Sequence, residues 1–133
     1  MRTTAALLVI ATLGLSGCAD DGAGSGADPK SGISGRVSLG PQCPVEQAGV
    51  PCPDKPGANA TVTVSKQLPG EAYAAGPTVA QTMTDADGRY RVAVSPGAYV
   101  VTADAGMFCE LMDVRVSDGA YARAPIPCDT GIR

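Results

Sequence analysis

The chain has 133 residues and reads as all-β: a seven-stranded antiparallel β-sandwich. Three observations predict this. Short runs of β-branched and aromatic residues alternate with Gly, Pro and Asp turn signals, at the roughly 8–12-residue spacing of sandwich strands. No stretch after the N-terminal leader has a helical period. The third observation is Thr84–Ala103, TDADGRYRVAVSPGAYVVTA, which holds two turn signals, Asp87-Gly88 and Pro96-Gly97. Between them Tyr90, Val92 and Val94 share one face, and Arg89, Arg91 and Ala93 share the other. Beyond the second turn Tyr99, Val101 and Ala103 share a face. A hairpin centred on Pro96-Gly97 pairs Val94 with Tyr99, Val92 with Val101 and Tyr90 with Ala103, so both apolar sets point to one side of a half-buried sheet.

In chain order, residues 1–17 are expected to be an export signal. Arg2 is the positive end, Ala5–Leu15 is an apolar run too short for a confident span, and Leu15-Ser16-Gly17-Cys18 resembles the lipobox of bacterial lipoproteins. That resemblance implies cleavage before Cys18 and acylation of its thiol, palmitate-type chains adding about 0.8 kcal/mol per buried CH₂. An ordinary secretory signal with an incidental cysteine is the other reading. Residues 18–32 then form the lipidated Cys and a flexible Gly/Ser/Asp tether. The folded domain is expected at residues 33–133.

Ile33–Leu39 is the first expected strand, with Ile33, Val37 and Leu39 on one face. Gly40–Ala58 carries several prolines and two cysteines, so it reads as a long loop without regular strand. Ala60–Lys66 is the second strand, with Val62 and Val64 inward. Gln67–Pro77 reads as a mobile connection. Thr78–Thr84 is a weaker strand in which Val79/Met83 and Ala80/Thr82 compete for the inner face. The hairpin described above follows. Phe108–Ser117 and Ala120–Cys128 close the sheet around an Asp118-Gly119 turn, with Val114 and Val116 inward.

Composition limits the chemistry. The formal charge is −3, and histidine and tryptophan are absent. Without histidine there is no Ser-His or Cys-His catalysis, and the ordinary zinc, copper and non-haem iron sites are lost. The mildly acidic balance argues against nucleic acid and against electrostatic adhesion to anionic lipid, and the sequence shows no basic cluster. With Cys18 assigned to lipid, Cys43, Cys52, Cys109 and Cys128 remain. An even number in an exported chain implies disulfides. Three pairings are possible. Cys43–Cys52 would close the proline-rich loop, and a two-residue turn at Asp118-Gly119 would set Cys109 opposite Cys128 in a hydrogen-bonded pair.

A family resemblance enters on particular residues. Thr84-Asp85-x-x-Gly88-x-Tyr90-x-Val92 followed by Pro96-Gly97-x-Tyr99-x-Val101 resembles the signature of carboxypeptidase regulatory-like domains, part of a wider prealbumin-like (transthyretin-like) group. Ser34-Gly35-Arg36-Val37 and Gly57-Ala58-x-Ala60-x-Val62-x-Val64 fit the same pattern. The proline-rich cysteine loop and the Cys128-Asp129-Thr130-Gly131 ending also resemble small lipoproteins of actinobacteria. The resemblance implies a prealbumin-like or immunoglobulin-like sandwich and a non-enzymatic module. Some related adhesin repeats form a Lys–Asn isopeptide bond. This chain departs from that pattern, since its first strand offers Arg36 and no lysine, and its one asparagine is Asn59.

The candidate sites are modest. Asp85-Ala86-Asp87-Gly88 begins like a calcium loop but lacks the later ligands, so it reads as a turn in which Asp85 bonds backbone N–H groups and Gly88 takes positive φ. Glu110, Asp113 and Asp104 are close in sequence but read as a solvated strand face. Tyr73 and Tyr121 are the exposed-aromatic candidates. The disulfide-closed loop Pro41–Pro56, with Gln42, Val45 and Glu46, is the best recognition surface, and Tyr73 joins them as a candidate contact. No catalytic residue, metal or cofactor is expected. The chain is expected to be a lipid-anchored, extracytoplasmic, non-catalytic binding or structural module of the cell envelope. Its partners would be the membrane through the anchor and an envelope protein or glycan. An accessory hydrolase using carboxylates and a carrier of a small apolar ligand are the alternatives.

Overall fold

A computed structural model describes residues 30–45, 47–70 and 74–133. The expected export signal, Cys18 and most of the expected tether lie outside the described residues, as do Glu46 and Tyr73. The described residues are all-β, and among them ten strands form two packed sheets: β1 (Gly32–Gly40), β2 (Lys55–Pro56), β3 (Thr61–Gln67), β4 (Ala75–Met83), β5 (Arg89–Ala93), β6 (Gly97–Asp104), β7 (Phe108–Cys109), β8 (Met112–Val116), β9 (Tyr121–Arg123) and β10 (Ile126–Asp129).

One sheet has the order β4-β3-β6-β8 and is antiparallel throughout. The other is built on β1, which exchanges partners halfway along its length. Its first half lies between β5 (antiparallel) and β9 (parallel); its second half lies between β2 (antiparallel) and β10 (parallel). Ser34 aligns with Arg123 and Val37 with Ile126, so β9 and β10 keep one register along β1. Pro125 lies in the break between them, where its missing N–H removes no ladder bond.

The sandwich is the expected one, but its connections differ. The sequence reading closes Pro96-Gly97 as a hairpin. In the structure β5 pairs with β1 while β6 pairs with β3 and β8, so this turn carries the chain from one sheet to the other. Tyr90 and Val94 therefore meet Tyr99, Val101 and Ala103 in one core cluster from opposite sheets instead of standing beside them. Alternation tells which residues are buried, but a strand that buries one face does so equally well beside its neighbour or across from it. The same correction applies to Phe108–Ser117. It breaks at Glu110–Leu111 into β7, which pairs with β10, and β8, which pairs with β6. Asp118-Gly119 still makes a turn, with the Ala120 N–H donating to the Ser117 carbonyl and Gly119 at φ +72°, but it too connects the sheets. These crossings let the C-terminal strands run parallel beside β1, which an all-antiparallel arrangement did not foresee.

Smaller differences have local causes. Ser31 is fully buried, its hydroxyl donating to the Val94 carbonyl at 2.8 Å, and Gly32 opens β1, so both belong to the folded domain although the sequence reading starts it at Ile33. The Gly40–Ala58 loop contributes the two-residue β2 beside Ser38 and Leu39. β4 starts at Ala75, inside the expected connection; it is an edge strand, which tolerates Pro77. The register between β3 and β4 shifts at Val64/Ser65. Val79 and Ala80 therefore both pack against the core, which is why the face of this strand was ambiguous.

Ile33, Val37, Val62, Val64, Val101 and Ile126 are completely buried at the centre. Thr84 fastens the entry to β3: its hydroxyl accepts from the Ala60 N–H at 2.8 Å and donates to the Gly57 carbonyl, while its own N–H donates to the Ala60 carbonyl at 2.9 Å.

Candidate functional site

A groove of about 660 Å³ lies on the outer side of the β1–β5–β9 face. Its chemistry comes from alternation. Ile33 and Val37 of β1 and Tyr90 of β5 point into the core, so Ser34, Arg36, Arg89 and Arg91 point out. Cross-strand register then gathers them. Arg36 stands opposite Arg89, and Ser34 lies between Arg91 on one side and Arg123 on the other. Four of the chain's ten lysines and arginines thus line one groove of a net acidic chain. The sequence reading found no basic cluster, because these residues come from three segments that only the fold brings together.

Three of the four arginines are positioned by neighbouring residues. The Arg36 Nε donates to the Asp87 carbonyl at 3.0 Å. The Arg91 guanidinium lies 3.5 Å from the centre of the Tyr121 ring, a cation–π contact. Arg89 follows the Asp85–Gly88 turn. There the Asp85 carboxylate accepts from the Asp87 and Arg89 N–H groups, both at 2.9 Å, and Gly88 takes φ +75°. The turn is the one the sequence implied, and the Asp85 carboxylate is engaged by its own backbone. Among the described residues none of the four arginines is in an ion pair.

The floor beneath is fixed. The Tyr90 hydroxyl donates to the Ala124 carbonyl in a buried position, and burial pushes the Tyr90 phenol well above its ordinary pKa. Gly35 lies against Ala124 and the Tyr90 ring so closely that any Cβ there would collide with the Ala124 carbonyl. The end of β4, with Thr82 and Met83, forms the opposite wall.

The expected recognition loop is present but separate. Cys43 and Cys52 are joined, and so are Cys109 and Cys128. Within the loop the Val50 N–H donates to the Gln47 carbonyl at 3.1 Å. Gln42 is half-buried and donates from Nε2 to the Leu39 carbonyl at 2.7 Å, so it serves to hold the loop, while Val45 is 70% exposed. The Thr130 N–H donates to the Gly40 carbonyl at 3.0 Å, tying the loop's base to the C-terminus. Cys109 and Cys128 are aligned directly, through the pairing of β7 with β10 and not through the expected hairpin at Asp118-Gly119, which instead connects the sheets. The Glu110 N–H donates to the Pro127 carbonyl at 3.0 Å, however, so the adjacent pair carries the hydrogen bond and the cysteines occupy a non-hydrogen-bonded pair.

The three carboxylates are not assembled. Asp104 accepts from the Gly106 N–H at 3.0 Å, and Asp113 stands on β8 opposite Val100. Glu110 lies in a smaller groove of about 280 Å³ with Phe108, Asp129 and Arg133. Asp129 and Arg133 pair there at 3.0 Å, and the hydrogen bond from Arg133 holds the Asp129 carboxyl below its usual range. Tyr121 takes part in the groove through its contact with Arg91. Among the described residues no three His, Cys, Asp or Glu side chains gather as a metal site.

The family model described as carboxypeptidase regulatory-like domain matches residues 51–127. No curated protein matches the sequence. Among solved structures, the chain is similar to 5-hydroxyisourate hydrolase of Klebsiella pneumoniae, at 18% identity and a TM-score of 0.47, over 75% of this chain and 90% of that one. It is also similar to a 9R-lipoxygenase from Cyanothece PCC8801 (10% identity, TM-score 0.39, 76% of this chain and 17% of that one). An (S)-allantoin synthase gives 16% identity and a TM-score of 0.37, over 73% of this chain and 41% of that one.

Proposed function

The chain belongs to the family of carboxypeptidase regulatory-like domains, and from that premise we propose that it is a lipid-anchored, non-catalytic binding module on the outer side of the cytoplasmic membrane. The observation that carries the binding role is the open groove with four guanidinium groups on a rigid strand floor. Guanidinium groups do not give up protons in proteins, so such a surface is suited to holding anions and not to acid–base work. The two disulfides suit an oxidising compartment, and the Leu15–Cys18 motif supplies the anchor.

Fractionation and ligand recovery test this reading. Wild-type chain should sediment with membranes and Cys18→Ser should not. A ligand eluted from the purified protein should come off chemically unchanged. Retention of Cys18→Ser in the membrane overturns the anchor, and turnover of the ligand overturns the non-catalytic role.

A further inference from the structure

We infer that the arginine groove binds a soluble chain bearing at least two phosphate groups roughly 7 Å apart, such as a phosphorylated polyol or glycan. The inference rests on the binding role just proposed and names the ligand chemistry of that site.

The geometry gives two anion positions. Arg36 and Arg89 face each other across β1 and β5. The Val37 N–H donates to the Gly88 carbonyl at 2.8 Å, which makes 37/88 the hydrogen-bonded pair. Arg36/Arg89 is therefore the non-hydrogen-bonded pair next to it, where side chains come closest, with Cα atoms about 4.5 Å apart. Two residues back along β1, Arg91 and Arg123 flank the Ser34 hydroxyl. Two residues of strand span roughly 7 Å, which sets the separation of the two positions.

The chemistry of the side chains selects phosphate. All four cations are arginines, whose planar forks match the several oxygens of a phosphate, and two forks converging on one group suit a phosphate better than a single carboxylate. The stack on Tyr121 holds the Arg91 fork before a ligand arrives, which lowers the entropy cost of binding. Placing like charges directly opposite weakens a sheet, and the four arginines have no ion pair among the described residues to offset that. A bound polyanion supplies the missing charge. The shape favours a chain over a lipid surface, because the guanidinium groups line a concave groove that a planar layer of headgroups does not enter. Tyr121 is already covered by Arg91, so the face offers no bare ring for base stacking.

The test is calorimetric titration of the full chain with tripolyphosphate, orthophosphate, a short DNA strand, and vesicles of zwitterionic lipid with and without anionic phospholipid. Tripolyphosphate should bind, more tightly than orthophosphate by about tenfold or more, and binding should weaken with salt. The double variant Arg36→Gln/Arg123→Gln should lose about 100-fold or more in affinity. Arg115→Gln, on β8 in the other sheet, should bind as wild type does. A thermal melt of the double variant matching or exceeding wild type shows that loss of binding is not loss of fold. Equal affinity for orthophosphate and tripolyphosphate overturns the two-position geometry. Equal loss in Arg115→Gln overturns the site, and tighter binding of DNA or of anionic vesicles overturns the ligand class. Absence of phosphate binding overturns this inference alone if a neutral glycan or a protein is still held at the groove, and the binding role as well if neither is.

Discussion

Arg36 stands directly opposite Arg89 across β1 and β5, with neither guanidinium in an ion pair among the described residues. Like charges so placed cost stability. Arg89→Glu replaces the repulsion with attraction, so it should stabilise the free protein by about 0.2–1 kcal/mol. The same change should abolish stabilisation by added tripolyphosphate. Chemical denaturation with and without the anion checks both halves.

The two disulfides should differ in worth. The Cys109–Cys128 bridge closes the longer loop, with a sequence separation of 19 against 9 for Cys43–Cys52. It also joins buried positions beside β1, whereas the other closes a loop whose Val45 and Val50 are exposed. Replacing Cys109 and Cys128 with alanine should cost about 3 kcal/mol, and replacing Cys43 and Cys52 somewhat less. Denaturation midpoints of the two double variants give the order.

Gly88 is a second sensitive point. At φ +75° a side chain is strained, and a Cβ there would lie 2.6 Å from the Val37 carbonyl oxygen and 2.9 Å from the Gly57 nitrogen. Gly88→Ala should therefore destabilise by about 1–3 kcal/mol. It should also weaken anion binding, because the turn positions Arg89. Gly70→Ala is the control: it too has positive φ, but its Cβ meets open space, so it should pay only the conformational cost, visible as a smaller shift in the melt.

Alkaline titration follows from the core. Burial raises the pKa of Tyr90 and of Tyr99. A raised folded pKa means that the neutral phenol stabilises the fold below the unfolded value near 10, and that this contribution is lost as pH climbs toward the folded value. Absorbance at tyrosinate wavelengths should show Tyr90 ionising only as the protein unfolds and Tyr99 ionising at higher pH than a free phenol, and denaturation experiments should show stability falling above about pH 10.

Much of the fold was legible because alternation is local. Val62, Val64, Val114 and Val116 are buried as their spacing required, and Asp85 and Gly88 behave as the turn chemistry required. Pairing was not legible at Pro96-Gly97. Tyr90 and Tyr99 are hidden whether their strands are neighbours or face each other, so the pattern does not distinguish a hairpin from a crossing. The arginine groove was missed for the same reason. Arg89 and Arg91 were correctly set on the outer face, but what makes them a site is Arg36 and Arg123, and those arrive through antiparallel and parallel partners of β1 that no local signal specifies.

The central claim, that the outer face of β1, β5 and β9 is the ligand surface, is tested most directly by mapping amide chemical-shift changes as tripolyphosphate is added. The account predicts perturbations concentrated at Ser34, Arg36, Arg89, Arg91 and Arg123, with Gln47–Pro53 unmoved. Perturbations centred on the Cys43–Cys52 loop, or none at the arginines at saturating anion, would contradict it.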